Sequence, residues 1–110
     1  MKKENRVKKG SEIEMIMKNR QSTGNRFFVV YKKENHENKH FRAAISVSKK
    51  FGNAVKRNKV KRQVRAVVSN LDVSPKNDLF IVIKNNANTL KFEEIENHVT
   101  KLIKKQNILR

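Results

Sequence analysis

The residues best suited to chemistry lie in one stretch, KKFGNAVKRNKVKRQVR, which runs from Lys49 to Arg65 and holds eight lysines and arginines but no acidic residue. The acid-free segment is wider still, because no Asp or Glu occurs between Glu37 and Asp72. Like charges one helical turn apart repel each other, so such a segment needs neutralising charge from outside. Arginine offers a planar fork that matches phosphate oxygens, and lysine offers a mobile point charge. We therefore predict that the neutralising charge comes from the phosphates of a bound nucleic acid.

The spacing of apolar residues predicts a helix that orients these charges. Five apolar residues after the Gly52-Asn53 break recur at helical spacing: Val60, Val64, Val67, Val68 and Leu71. Burial of that face leaves Arg57, Lys61 and Arg65, spaced i, i+4 and i+8, as one outward ridge. Asn58 and Arg62 run alongside it. Cations near a helix N-terminus cost roughly 0.3–1 kcal/mol each at low salt. The charges oppose the helix dipole, which favours a binding role over a stabilising one.

The overall composition also indicates a polyanionic partner. The formal net charge is +17 on 110 residues, with 27 Lys and Arg against 10 Asp and Glu. Such a charge favours nucleic acid over an anionic membrane surface as the partner. No membrane-spanning helix is expected, since the longest apolar runs, FFVVY and LFIVI, are far shorter than the roughly 20 residues that such a helix needs. The absence of cysteine removes disulfides, thiolate zinc sites and cysteine nucleophiles, and is compatible with a cytoplasmic protein. The length predicts a single domain, residues 1–110, with residues 1–9 as a flexible basic tail rather than a signal peptide.

The patterning around the central helix predicts an α+β fold. A first helix is predicted through Ile13, Ile16 and Met17, capped by Ser11 and ending near Arg20. Strands are predicted at 27–32, 41–48 and 79–83. A last helix is marked by five apolar residues at helical spacing: Phe92, Ile95, Val99, Leu102 and Ile103. In the second strand, alternation places two sets on opposite faces: Phe41, Ala43, Ile45 and Val47 toward the core, and Arg42, Ala44, Ser46 and Ser48 on an open, polar face. The order α-β(2–3)-α-β-α predicts a two-layer sandwich with a small, mostly antiparallel sheet.

The central stretch, extended to SVSKKFGNAVKRNKVKRQVR from Ser46 to Arg65, closely resembles the signature of the bacterial ribonuclease P protein family. That signature is an Arg-Asn-Arg-rich helix that follows a strand exit of the form SVSKKxGNAV. Weaker likeness extends to NRVKKGSE, NRFFVVY and LFIVIKNNA, so the resemblance covers nearly the whole chain. One departure is conservative: Lys59 stands at the second arginine of Arg-Asn-Arg, which retains the charge but loses the planar fork.

The resemblance implies a function and a partner. Members of this family are the small protein subunit of a ribonucleoprotein that removes the 5′ leader from precursor tRNA. The catalytic RNA subunit performs the hydrolysis with Mg²⁺ that the RNA holds, which implies no catalytic residue and no metal or other cofactor held by the protein alone. The resemblance also implies a left-handed β-α-β crossover, and neither a membrane nor an obligate protein partner. The residues expected to contact RNA are Lys49, Lys50, Asn53, Lys56, Arg57, Asn58, Lys59, Lys61, Arg62 and Arg65.

The resemblance further implies a cleft for the single-stranded leader, between the first helix, the open sheet face and the central helix. Its residues in this chain are Ile13, Met17, Tyr31, Arg42, Ser46 and Ser48. The family often has phenylalanines at the positions of Ile13 and Met17, and aliphatic side chains lack the stacking worth roughly 1–3 kcal/mol per base. We therefore expect leader binding to depend more on charge and on Tyr31. Ordinary packing is the alternative role for all three of these residues.

Other functions fit the sequence less well. A protein nuclease needs a general acid and base or clustered carboxylates, whereas the three histidines and the glutamates of the last helix show no such pattern. Sequence-specific DNA binding is disfavoured because Asn58 and Gln63 are the few base-reading amides on the charged helix. Membrane-surface binding would need large apolar residues where the central helix has valines. A generic small basic RNA-binding or ribosomal protein stays open as the alternative, since only the pattern of residues 46–65 separates it.

Overall fold

The computed structural model describes residues 6–7 and 10–110, and these residues form helices packed on a four-stranded sheet. The elements in chain order are α1 (Gly10–Lys18), β1 (Gln21–Gly24), β2 (Phe28–Glu34), β3 (Arg42–Val47), α2 (Ala54–Asn70), β4 (Asn77–Ile83) and α3 (Phe92–Lys105). Short 3-10 turns, Lys49–Phe51 and Asn85–Thr89, precede α2 and α3. This order confirms the predicted α+β fold class, with three strands before the central helix.

The sheet is mixed, and its strand order is β1-β2-β4-β3. The pairs β1–β2 and β2–β4 are antiparallel, whereas β3 and β4 run parallel and are joined through α2. Strand β4 lies inside the sheet, and all of its residues except the half-buried Val82 are buried, as the apolar run LFIVI predicted. Strand β3 is an edge strand. The left-handed sense of the β3-α2-β4 crossover stays a prediction.

The two faces of the sheet bury two separate clusters. The larger cluster includes Ala43 and the valines of α2, and the smaller one includes Ala44, Phe80 and Ile16 of α1. The other core-facing residues predicted in β3 pack against the larger cluster: Phe41, Ile45 and Val47. Adjacent residues of β3 therefore face different clusters, which confirms the predicted alternation.

Helix α2 begins after Asn53 and buries its valine face, as its sequence predicts. The side-chain carbonyl of Asn53 accepts a hydrogen bond from the backbone N–H of Lys56 at 2.9 Å, which satisfies one of the free donors of the first turn. Four valines of the predicted face are no more than 2% exposed: Val60, Val64, Val67 and Val68. Their burial fixes the rotation of α2 about its axis, and the direction of its charges follows.

Helix α1 starts earlier than predicted. It begins at Gly10, so Ser11 lies inside its first turn and the prediction of Ser11 as the cap was wrong. The helix ends at Lys18, two residues before Arg20, whose φ of 58° is left-handed. The S-x-x-E pattern marks a first turn but does not distinguish the residue before the helix from one within it.

Part of the predicted basic tail lies on the sheet. Residues 1–5 and 8–9 lie outside the described residues, but Arg6 and Val7 are described. Arg6 forms a parallel bridge with Ala43 of the edge strand β3, and the backbone N–H of Val7 donates to the carbonyl oxygen of Ala43 at 3.0 Å. Val7 is buried and belongs to the smaller cluster with Ile16. The segment before α1 therefore covers part of the β3 edge.

Candidate nucleic-acid interface

The cations of α2 have no carboxylate partner among residues 6–7 and 10–110. The ion pairs within these residues are Glu34 with His36, Asp72 with Arg110, and Arg42 with both Asp78 and Glu12. No lysine or arginine of α2, or of the turn before it, takes part. The prediction of a cationic helix without internal neutralisation is therefore confirmed for the described part of the chain.

Most of the residues predicted to bind RNA are accessible. Of the ten, seven are exposed: Lys49, Lys50, Asn53, Lys56, Asn58, Lys59 and Arg62. The other three, Arg57, Lys61 and Arg65, are half-buried and form the predicted ridge. They are half-buried because the ridge lies beside the edge strand β3. Arg57 and Lys61 line a cavity of about 180 Å³ with Val47.

A larger cavity of about 460 Å³ lies farther along the same edge and forms the cleft between α1, the sheet and α2. Ile13 of α1, Ser46 of β3, and Lys61 and Arg65 of α2 all line it. An edge strand also presents backbone donors and acceptors that a ligand can use. The cleft therefore combines cationic side chains, one hydroxyl and the part of the β3 edge that Arg6 and Val7 do not cover.

Two arginines, Arg6 and Arg65, meet in this cleft. Burial, and to a lesser extent the positive charge of Arg6, lower the pKa of Arg65. Both effects disfavour the charged guanidinium in the unbound protein, and no carboxylate lines the cleft among the described residues. A bound anion would relieve the repulsion and accept hydrogen bonds from both forks. The electrostatics therefore suit a phosphate group.

The sheet face that carries α1 places two aromatic rings at or beside the cleft. Tyr31, Phe80 and Ala44 stand side by side on β2, β4 and β3. The rings of Tyr31 and Phe80 stack, with centroids 5.9 Å apart and planes inclined by 24°. Ile16 of α1 is buried in the same cluster, whereas Ile13 and Tyr31 are half-buried at its margin. Phe80 lines the cleft but is only 8% exposed, so the half-buried Tyr31 beside it is the more accessible of the two rings.

Arg42, which was predicted to lie in the leader cleft, already binds two acidic side chains. Its Nε and Nη2 groups donate to the two carboxylate oxygens of Asp78 at 3.0 and 2.8 Å. Its Nη1 donates to the carboxylate of Glu12 in α1 at 3.4 Å. The charge of Arg42 is thus balanced within the protein, and its contacts hold α1 against the sheet. Alternation placed Arg42 on the open face but could not reveal a carboxylate on the neighbouring strand.

Asp78 is the centre of this buried polar network. Its carboxylate also accepts hydrogen bonds from the side-chain amides of Asn38 at 2.7 Å and Asn35 at 3.1 Å. Burial alone would raise the pKa of Asp78, but the hydrogen bonds from Arg42 and the two amides outweigh it and hold the pKa below its ordinary value. The network therefore links α1, β3, β4 and the β2–β3 loop around an ionised carboxylate.

Only some of the other residues that were predicted to line the cleft do so. Ser46, which is exposed, and Ile13, which is half-buried, both line the cleft. Met17 is 42% exposed and does not line it. The Ser48 hydroxyl accepts a hydrogen bond from the backbone N–H of Lys50 at 3.3 Å, so it caps the turn before α2. Tyr31 adjoins the cleft through its contact with Phe80.

Sequence reasoning missed several residues that line the cleft, and Arg6 and Phe80 are among them. Arg6 lies in the segment interpreted as a tail, and nothing local in NRVKK indicates pairing with a strand. Phe80 lies in a wholly apolar run, where alternation cannot separate the two faces. Only the pairing of Phe80 with Tyr31 and Ala44 in the sheet shows that the three side chains lie on the same face.

The described residues show neither a membrane span nor a metal cluster. No helix among them is long and apolar enough to cross a bilayer. No group of three His, Asp or Glu side chains among them lies close enough together to hold a metal ion. His98, on α3, packs its ring 4.9 Å from that of Phe27 and shares a hydrogen bond with Asn25.

Comparison with known proteins gives concordant matches. A sequence model of the family described as Ribonuclease P matches residues 1–107. The chain is 40% identical to the ribonuclease P protein component of Acholeplasma laidlawii, over 99% of this chain and 95% of that protein. It is 43% identical to the ribonuclease P protein component of Streptococcus pneumoniae, over 100% of this chain and 90% of that protein. The solved RNase P protein of Staphylococcus aureus matches with a TM-score of 0.87 at 36% identity, covering 96% of this chain and 98% of that chain.

Proposed function

The chain belongs to the ribonuclease P protein family, and on this basis we propose that it is the RNA-binding protein subunit of ribonuclease P. It binds the catalytic RNA and the single-stranded 5′ leader of precursor tRNA, and it assists the RNA-catalysed, Mg²⁺-dependent endonucleolytic removal of that leader. The observation that carries the proposal is the α2 ridge, whose cations lack carboxylate partners among the described residues and flank a cleft.

The ridge of α2, the exposed residues beside it and the turn before it bind the phosphates of the catalytic RNA. Residues four apart on a helix rise by about 6 Å, so Arg57, Lys61 and Arg65 span about 12 Å. A nucleic-acid strand in a duplex carries one phosphate per about 3.4 Å of its axis. The ridge therefore matches a short run of phosphates, and the exposed Arg62 and Asn58 extend the contact sideways.

The cleft receives the leader strand. Arg6, which lies on the cleft wall beside Lys61 and Arg65, contacts its phosphates. Tyr31, which adjoins the cleft and stacks on Phe80, supports a base, in place of the phenylalanines that the family often has on the first helix. Arg42 contributes indirectly, since its bonds to Asp78 and Glu12 keep α1 in position over the sheet.

The contribution of the protein is binding and alignment, and we assign it no catalytic residue. In this proposal the hydrolysis and its Mg²⁺ ions belong to the RNA subunit. Cations on α2 neutralise phosphate repulsion where two RNA molecules approach each other. Holding both molecules on one protein also raises their effective concentration. The protein should therefore lower the magnesium concentration that cleavage requires.

Reconstitution tests the proposed function. Precursor tRNA is incubated at low Mg²⁺ with the catalytic RNA alone, with the protein alone, and with both. We expect cleavage to be restored only with both. In a parallel binding measurement, leaderless tRNA serves as the matched control for leader contacts. A protein that binds RNA without restoring cleavage would contradict the proposal and favour a generic RNA-binding protein. Cleavage by the protein alone would contradict the assignment of the chemistry to RNA.

A further inference from the structure

A second cavity, which we call the α2–α3 groove, lies on the other flank of α2. It has a volume of about 520 Å³ and lies between α2, the 3-10 turn Asn85–Thr89 and the start of α3. Its floor includes Phe51, Val60 and Ile95, which are no more than 8% exposed. The volume is within the roughly 300–1,000 Å³ of small-ligand sites.

The rim of the α2–α3 groove is cationic and carries one exposed aromatic ring. Lys56 and Lys59 of α2, with Lys91 before α3, line it, and no carboxylate is part of the lining among the described residues. Phe92 also lines it and is 42% exposed, whereas the other apolar residues of the α3 core face are no more than 2% exposed. Phe92 is therefore the residue of this face that stays accessible to a ligand.

We propose that the α2–α3 groove binds one unstacked nucleotide of the RNA that lies on α2. The base contacts Phe92 and the apolar floor, and its phosphates contact Lys56, Lys59 and Lys91. This inference rests on the proposed function, because the groove is continuous with the RNA-binding side of α2 through Lys56 and Lys59. An acidic peptide would match the charge, but an exposed aromatic ring beside lysines is the combination that recognises unstacked bases.

Two variants outside α2 test the groove in the full chain with the catalytic RNA as the probe. Phe92→Ala removes the aromatic ring, and base stacking on an aromatic residue predicts an affinity loss of roughly 5- to 150-fold. Its salt dependence should stay unchanged, because no phosphate contact is removed. Lys91→Ala should reduce the log–log salt slope by about 0.7–0.9, the value for one phosphate. Phe92→Leu retains apolar bulk and should bind with intermediate affinity.

The matched control is Lys101→Ala, which removes one exposed lysine from α3 away from the groove lining. Circular dichroism checks that each variant is folded, as the exposure of Phe92 and Lys91 leads us to expect. The groove assignment alone would be overturned if the unsubstituted protein binds the RNA normally and both Phe92→Ala and Lys91→Ala bind it with unchanged affinity. The groove would then bind another ligand, such as an acidic peptide. Failure of the unsubstituted protein to bind the catalytic RNA would overturn the proposed function and the groove assignment together.

Discussion

Simultaneous replacement of Arg57, Lys61 and Arg65 by glutamine should weaken RNA binding while the protein stays folded. The three side chains lie outside the buried valine face and have no carboxylate partner among the described residues. They are half-buried along β3, so their methylene groups cover apolar surface there. Glutamine removes the charge but retains more of the methylene stem than alanine does. It is therefore less disruptive to packing than alanine.

The size of the effect follows from counterion release. Each neutralised phosphate contributes roughly 0.7 to the log–log salt slope for single strands and 0.9 for a duplex. Loss of three contacts should therefore reduce the slope by about 2.1–2.7. At 0.1 M salt this corresponds to a loss of affinity of roughly 100- to 500-fold, and the difference should nearly vanish on extrapolation to 1 M.

Filter binding of the catalytic RNA across a salt series measures both quantities. The matched control replaces Lys101, Lys104 and Lys105 of α3 by glutamine, which removes the same charge from exposed positions on another helix. We expect the control to bind nearly as the unsubstituted protein does. Equal weakening by both triple substitutions would show that net charge, and not the ridge, drives binding. Loss of the circular dichroism spectrum in the ridge variant would refute the assignment of helix faces.

Two further predictions concern the cleft and the network beneath it. Tyr31→Leu retains apolar packing against Phe80 but removes one ring of the stacked pair. The free energy of binding to precursor tRNA should therefore become less favourable by roughly 1–3 kcal/mol. An equal loss for leaderless tRNA would contradict a leader contact. Asp78→Asn leaves the Arg42 charge poorly compensated and should lower the free energy of unfolding by about 3 kcal/mol at pH 7, measured by urea denaturation. Because the folded pKa of Asp78 lies below its ordinary value of 3.8, its stabilisation should be complete well above that pH and be lost as the pH falls through the folded pKa. An unchanged urea midpoint between pH 5 and pH 2, or an Asp78→Asn variant with the same acid dependence as the unsubstituted protein, would contradict the role of the network.

Local patterns predicted the parts of the fold that depend on local geometry. The valines of α2 repeat at the helical period, so the sequence already indicated both the helix and the direction of Arg57, Lys61 and Arg65. The two-residue alternation of β3 likewise separated Ala43 from Ala44 before any strand pairing was known. Asn53 was recognisable as a helix start because its side chain can satisfy a free backbone donor.

Features that depend on distant residues were not predictable in the same way. The pairing of Arg42 with Asp78 joins residues 36 positions apart, and the bridge of Arg6 to Ala43 joins two segments that share no sequence pattern. The cleft role of Phe80 follows only from sheet register. The neutralisation of Arg42 was therefore missed, although its position on the open face was correct.

A cryo-electron microscopy map of the protein bound to the catalytic RNA and precursor tRNA would show whether RNA phosphates neutralise the ridge of α2. We expect this neutralisation, with phosphate oxygens at about 2.7–2.9 Å from nitrogens of Arg57, Lys61 and Arg65, the distance of charge-assisted hydrogen bonds. A map in which these three side chains face solvent, while the RNA contacts another surface of the protein, would contradict it.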